Sequence, residues 1–306
     1  MAIENTFKKQ TLLALGLAFL YLLWIVVVVG LRSDHLIFIA LCLVLFFASE
    51  MSRKVFLALF FFVVYWVIYD SLRIYPNYDF NPVLVQEPYD IEKSLFGFLY
   101  NGQIITPNEF FETHTHPVAD VLSGLFYLCW VPVPIAFAIW LFFKDKRMLL
   151  DFSLAFLLTN LFGFVLYYAY PAAPPWYVEM HGFTENFSIP GNEAGLANFD
   201  RIMGVQLFHS MYAKNANVFA AIPSLHSAYP IIPLYYAWKR KMPLAALGFF
   251  VICIGIWGAA VYSRHHYIID VVLGVLCAVA TIFMLERFVL RTRVDKWLNA
   301  YAGWIK

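Results

Sequence analysis

Long apolar runs alternate with short charged turns along most of the chain. The runs cover Thr11–Leu31, Leu36–Ser49, Val55–Tyr69, Val118–Phe143, Met148–Tyr170, Pro223–Trp238, Pro243–Tyr262 and Tyr267–Leu290. A helix needs about 20 apolar residues to cross ~30 Å of hydrocarbon. The second and third runs fall short of that. The pattern predicts an all-α, polytopic membrane helix bundle of about eight spans. The first run exceeds the ~7–15-residue core of a signal peptide, and no small-x-small site follows Gly30, so it reads as a retained helix. Pro132 and Pro134 predict a kink in the fourth run.

Two long polar segments interrupt the pattern. Asp70 to about His116 is acidic and rich in aromatic residues, which predicts short amphipathic helices at the membrane interface. Pro171 to Ile222 opens Pro171-Ala172-Ala173-Pro174-Pro175-Trp176-Tyr177, a proline density that predicts extended backbone and no helix. After the last run, Val294, Trp297, Leu298, Tyr301 and Ile305 recur at helical spacing. They predict an amphipathic helix on the cytoplasmic surface.

Composition supports the membrane assignment. Of 306 residues 62% are hydrophobic and only 13% charged, where soluble domains hold about a quarter charged. A net charge of +1 leaves no broad basic surface for nucleic acid. Cys42, Cys129, Cys253 and Cys277 each lie in an apolar run without Cys-x-x-Cys spacing, so they read as packed thiols. Charge also orients the chain. Alternating sides from a cytoplasmic N-terminus puts Lys8/Lys9, Arg53/Lys54, Lys144/Lys146/Arg147, Lys239–Lys241 and Arg287/Arg291/Arg293 on the cytoplasmic side. Both termini then lie inside. The polar segments and the histidine clusters face the other way, to the periplasm in a bacterium or the lumen in a eukaryote.

Two clusters carry chemistry. In Pro223-Ser224-Leu225-His226-Ser227, the proline is expected to open the sixth helix. The N–H groups of Ser224, Leu225 and His226 would then face an anion, with the Ser224 and Ser227 hydroxyls as further donors. The plain alternative is a helix that only caps itself. The second cluster is Tyr262-Ser263-Arg264-His265-His266-Tyr267-Ile268-Ile269-Asp270. His266 and Asp270 are spaced to share a helix face, so the carboxylate can orient the imidazole as a base or nucleophile. A buried pair that only ties helices together is one alternative. A metal site is another, although His265 would point about 100° away from His266 on a helix. The two clusters together suggest displacement at phosphorus. His266 attacks a phosphodiester, His226 handles the proton of the leaving and accepting oxygens, and Arg264 stabilises phosphoryl charge. No metal or other cofactor is needed for that scheme.

At these residues the chain resembles the type 2 phosphatidic acid phosphatase superfamily, whose Pro-Ser-x-His and His-x-x-x-Asp motifs match Pro223–His226 and His266–Asp270. The resemblance implies a six-helix phosphatase-like core, with His266 as nucleophile, Asp270 supporting it and His226 moving the leaving-group proton. Two features of the phosphatases are missing. There is no Lys-x6-Arg-Pro motif, and Ala259 and Ala260 stand where the family has Ser-Arg. Ala173-Pro174-Pro175-Trp176-Tyr177, then Pro223–Ser227, then His265-His266-Tyr267 with Asp270, is similar to the inositol phosphorylceramide synthase branch. That likeness implies transfer of a phosphoinositol headgroup from phosphatidylinositol to ceramide, with Tyr267 close to substrate. It also implies a division into N-terminal membrane helices (1–54), a phosphatase-like catalytic membrane domain (55–293) and an interfacial tail (294–306). Asp70 and Arg73 are candidate phosphate or inositol contacts, or else an interfacial ion pair. Trp176 and Tyr177 either line the headgroup site or anchor their loop. The rival functions are a lipid phosphate or polyprenyl pyrophosphate phosphatase, and a non-catalytic transporter or scaffold.

Overall fold

The computed structural model describes residues 2–213 and 217–305; the side chains of residues 2–9, Lys8 and Lys9 among them, lie outside the described residues. Among the described residues, seventeen helices and one small hairpin follow in order: α1 (Ala2–Trp24, continued by a π turn Ile25–Val29), α2 (Ser33–Phe47), α3 (Glu50–Ala58), α4 (Phe60–Ser71), α5 (Gln86–Phe96), β1 (Phe98–Tyr100), β2 (Gln103–Ile105), α6 (Pro107–Thr113), α7 (Pro117–Leu128), α8 (Pro132–Lys144), α9 (Lys146–Ala169), α10 (Pro175–His181), α11 (Ala197–Met203), α12 (Leu207–Tyr212), α13 (Leu225–Ala228), α14 (Ile231–Lys239), α15 (Pro243–Tyr262), α16 (Ile268–Arg287) and α17 (Arg293–Trp304).

Four stretches of the described residues are each long and apolar enough to cross a membrane: Gln10–Val29, Lys146–Ala169, Pro243–Tyr262 and Ile268–Arg291. Two bent pairs raise the number to six: α3 with the helix after it, bent by 56°, and α7 with α8, bent by 43°. The second bend falls at the predicted prolines. Pro132 and Pro134 remove donors from α8's first turn, so the helix restarts there instead of running on from Leu128. The apolar α2 and the segmented α13–α14 correspond to the two remaining runs.

Helix α9 is the centre of the bundle, with 67% of its apolar window buried, against 6% for the first span. It packs on α4, α8, α14, α16 and α17. Its Leu149, Leu150, Phe152 and Ala155 join Leu141, Ile232, Tyr236 and Leu285 in the main core. Basic clusters from distant parts of the sequence converge at one end. There Arg147 binds Asp151 and Asp295, Arg240 binds Asp145 at 2.6 Å, and Lys239 binds Glu286 at 2.6 Å. The predicted tail helix forms as α17. It packs onto the protein through Leu298, Tyr301 and Ile305, and the Tyr301 hydroxyl donates to the Leu57 carbonyl at 2.8 Å.

Several local expectations change. Arg53 and Lys54, expected only to separate the second and third runs, sit inside α3. Ser49 caps α3, with Ser52 N–H donating to Ser49 Oγ at 3.0 Å and Ser49 N–H to Ser52 Oγ at 2.9 Å. The acidic segment forms the predicted short helices α5 and α6 and also a hairpin. Asn101 and Gly102 take φ of 49° and 82°, the left-handed pair of a two-residue turn. The proline-rich run is extended only over its first part. Leu84 and Ala220 pair with Ala172 on either side. Pro175 then opens α10, contrary to the helix-free prediction, because a proline costs nothing at the first helical position.

At the end of the bundle away from the basic clusters, α13 meets α16. A Cβ at Gly274 would lie 2.1 Å from the Ser224 carbonyl oxygen. Gly274→Ala should therefore push α13 off α16 and destabilise the fold by about 1–3 kcal/mol. Thermal unfolding in detergent micelles checks this; an unchanged midpoint would contradict it.

Candidate active site

The two histidine clusters meet where α13 abuts the start of α16. The His226 and His266 imidazole centroids lie 5.9 Å apart. Ser224 caps α13, and its N–H donates to the Asp270 carbonyl at 2.9 Å. This corrects the sequence expectation: Pro223 precedes the helix instead of opening it, and the Ser224 N–H is already used. Ser227 Oγ donates to Ser224 Oγ at 3.0 Å, which leaves the Ser224 hydroxyl hydrogen to be given elsewhere. Trp257 Nε1 holds the same turn by donating to the Ser227 carbonyl at 3.0 Å.

The second cluster is also built differently from the prediction. His266 lies in the loop before α16, so it shares no helix face with Asp270. The pair forms through a cap. Asp270 Oδ2 accepts from the Tyr267 N–H at 2.9 Å and lies 3.3 Å from His266 Nδ1. The loop is drawn tight by Ala260, whose carbonyl accepts from the N–H groups of both His265 and His266. Arg264 takes φ of 62° there, an uncommon conformation for a residue with a side chain. Asp270 is fully buried and His266 is 7% exposed. Burial pulls the His266 imidazole down to about 4, with the Ala221 carbonyl opposing. It is therefore neutral near pH 7, as a nucleophile must be. Its Nδ1 is engaged by Asp270, and the Ala221 carbonyl is a second partner of the ring.

Residues that the sequence pattern does not single out hold both histidines. The Tyr127 hydroxyl lies 3.2 Å from His226 Nδ1, and the Tyr212 hydroxyl donates to Tyr127 at 3.3 Å. Tyr212 in turn stacks on His265, with centroids 4.4 Å apart. His265 is thus a platform, with its Nε2 2.9 Å from the Glu193 carbonyl. Glu92, on α5, is fully buried and accepts from the N–H groups of Ile268 and Ile269 at 3.0 and 3.1 Å. It caps the helix that carries Asp270. Tyr127 is a polar tip inside an apolar run, a signal that it needs a partner. Nothing local marks Glu92, whose partners lie far along the chain.

The other predicted site residues are placed as follows. Tyr267 is buried directly after His266. Arg264 Nε sits 3.2 Å from Glu179 Oε2. Trp176 and Tyr177 are buried in a small core with Val83, Val85 and Phe219. The Tyr177 hydroxyl donates to the Thr184 carbonyl and accepts from the Asn186 N–H. Trp176 reaches the histidine loop through its backbone, donating to the Arg264 carbonyl at 3.0 Å. Asp70 and Arg73 are gathered elsewhere. Asp70 is met by Arg32 at 2.5 Å, His35 at 2.7 Å and Arg73 at 3.5 Å. Asp34, His35 and Asp70 have metal-ligand spacing, but the Arg32 guanidinium already pairs with both carboxylates.

A buried neutral imidazole, its carboxylate and a second histidine make an arrangement suited to phosphoryl transfer, set in a membrane helix bundle. Residues 104–284 match the PAP2 superfamily, and the chain belongs to it. It is 50% identical to the phosphoinositol dihydroceramide synthase of Bacteroides thetaiotaomicron, over 98% of this chain and 99% of that one. It is 31% identical to the inositol phosphorylceramide synthase of Candida albicans, over 58% of this chain and 38% of the fungal one. The inositol phosphorylceramide synthase catalytic subunit of Schizosaccharomyces pombe is 24% identical over 79% of this chain and 56% of its own length. No solved structure matches.

Two outcomes are expected. Tyr127→Phe keeps the ring but removes the hydroxyl, so turnover should fall about three- to tenfold and the pH–rate profile should shift, while thermal stability holds. An unchanged profile would contradict the role. Burial raises Glu92 from its ordinary 4.5 to about 7. The folded state then binds the extra proton between those values, so this carboxyl makes stability fall as pH rises through that window. Glu92→Gln should remove that component from the unfolding midpoint measured across pH 4.5 to 7.

Proposed function

We propose that this chain is a phosphosphingolipid synthase. It moves phosphoinositol from phosphatidylinositol to the primary hydroxyl of a ceramide, through a phosphohistidine on His266. The observation that carries this reading is the convergence of His226, His266 and Asp270. Near full-length similarity to an enzyme named for phosphoinositol and dihydroceramide supports the choice of substrates.

In the first half, His266 Nε2 attacks phosphorus and the bond to the diacylglycerol oxygen breaks. Asp270 stabilises the imidazolium that forms. His226 enters protonated, with the anionic phosphodiester as its counter-ion, and gives its proton to the leaving oxygen. Tyr127 occupies Nδ1 of that ring, so Nε2 is the atom that exchanges the proton. In the second half, His226 takes the proton of the ceramide hydroxyl. That oxygen attacks phosphorus, and the bond to His266 breaks. Ser224, oriented by Ser227, supplies a hydroxyl donor near the phosphoryl oxygens, and Arg264 offsets their charge. Trp176 and Tyr177 serve by holding the Arg264 loop and the segment around it. The burial of His266 and Asp270 favours a lipid hydroxyl over bulk water as acceptor. The site lies at the end of the bundle opposite the basic clusters. That position supports a non-cytoplasmic site, with both termini inside.

Purified protein given phosphatidylinositol and ceramide should yield phosphoinositol ceramide and diacylglycerol. His266→Ala should abolish the product and leave the unfolding midpoint within a few degrees. Release of only water-soluble inositol phosphate would make the protein a hydrolase, and full activity in the variant would sink the mechanism.

A further inference from the structure

A cavity of about 310 Å³ lies beside the histidine loop, between α6, α10 and Tyr267. Its position relative to the nucleophile is fixed by Asn108. That side chain lines the cavity, and its Nδ2 donates to the carbonyls of His266 at 2.9 Å and Val261 at 3.1 Å. The wall has two chemistries. Glu109, Glu112 and Glu179 contribute carboxylates, and Tyr89, Phe183 and Tyr267 contribute rings. Arg264, bound to Glu179, joins this wall to the histidine loop.

The carboxylates are not used up by the fold. Glu109 accepts from the Tyr89 hydroxyl and the Thr106 N–H, one bond on each oxygen, and a carboxylate has about four acceptor positions. Glu112 has no hydrogen-bond or ion-pair partner among the described residues. A further acceptor is orphaned: Asn108 is 4% exposed, and its Oδ1 has no partner among the described residues. Buried acceptors of this kind are costly unless a donor reaches them. A phosphate would be repelled by Glu109 and Glu112, whose carboxylates have no ion-pair partner among the described residues. A ring bearing several hydroxyls supplies the missing donors, and its C–H face suits the aromatic wall.

We propose that this cavity is the headgroup subsite of the enzyme, shaped for a neutral, polyhydroxylated ring whose hydroxyls donate to Glu109, Glu112 and Glu179. The inference rests on the phosphoinositol-transfer reading above. The phosphate stays with His226, His266 and Arg264, while the ring extends into the cavity. Specificity for the donor lipid is then set by the acidic wall and not by the histidines. A site built to accept hydroxyl hydrogens discriminates strongly against headgroups that lack them.

The test uses the full-length enzyme in mixed micelles, with phosphatidylinositol as varied donor and ceramide held constant. Glu112→Gln replaces one carboxylate without touching a helix cap, and Val178→Trp fills the cavity from α10. Each should raise the KM for phosphatidylinositol about tenfold or more, with the larger effect in Val178→Trp and a smaller change in kcat. A KM unchanged in both variants would overturn the subsite. Competition between phosphatidylinositol and phosphatidylethanolamine tests the polyol assignment. If the wild type prefers the ethanolamine lipid and Glu112→Gln erodes that preference, the cavity holds an ammonium group and the polyol assignment falls. If His266→Ala keeps full transfer while both cavity variants raise KM, the phosphohistidine mechanism fails and the subsite stands.

Discussion

The site depends on one close contact, that of the first turn of α13 against the start of α16. Ser224 donates its N–H to the Asp270 carbonyl, and Gly274 lets the two backbones meet. A side chain at Gly274 would separate them. Because His226 rides on α13 and Asp270 on α16, this contact sets the spacing of the two imidazoles. Trp257 fixes one partner from α15, and Glu92 fixes the other from outside the spans. The histidines are thus held by backbone and cap hydrogen bonds, which tolerate little displacement.

Burial gives these residues their chemical character. Removing His266 from water disfavours its charged form and preserves the lone pair that the proposed attack on phosphorus uses. The charge that Asp270 would carry is costly inside the bundle. One oxygen faces the Tyr267 N–H and the His266 ring, and the other has no partner among the described residues. That arrangement suits an imidazolium formed during reaction better than a resting neutral ring. The low dielectric that makes the pair expensive also strengthens it when charge develops. Tyr127, Tyr212 and His265 add a stacked polar chain that reaches from the extramembrane segment to His226.

Much of this is legible in the residue order. Apolar runs predict the helices, and charge alone groups basic clusters that share one end in the structure. The kink at Pro132 and Pro134 follows from missing donors. Residue types and spacing point to His226, His266 and Asp270, yet the reason for the spacing is different. The interval of four predicts His266 and Asp270 on one helix face, and the structure joins them through a helix cap, which accommodates the same interval. Pro223 and Pro175 exchange roles: the proline expected to start a helix precedes it, and one expected to forbid helix starts one. The Asn101-Gly102 turn carries a local hairpin signal that the acidic, aromatic surroundings overshadow. Glu92 and Asn108 cannot be found this way, and Tyr127 is marked only as a polar tip whose partner the sequence does not name. Each acts on partners far along the chain, and only the packing of distant segments brings them together.

In the proposed mechanism the headgroup is held covalently on His266 between donor and acceptor. This is tested most directly by incubating the enzyme with phosphatidylinositol labelled in the inositol ring, without ceramide, quenching, and locating the label by mass spectrometry. The expected result is an acid-labile phosphoinositol adduct on His266 that disappears into phosphoinositol ceramide when ceramide is added. Full transfer activity with no adduct on His266 under any quench, and with direct attack of ceramide on the lipid kinetically established, would contradict it.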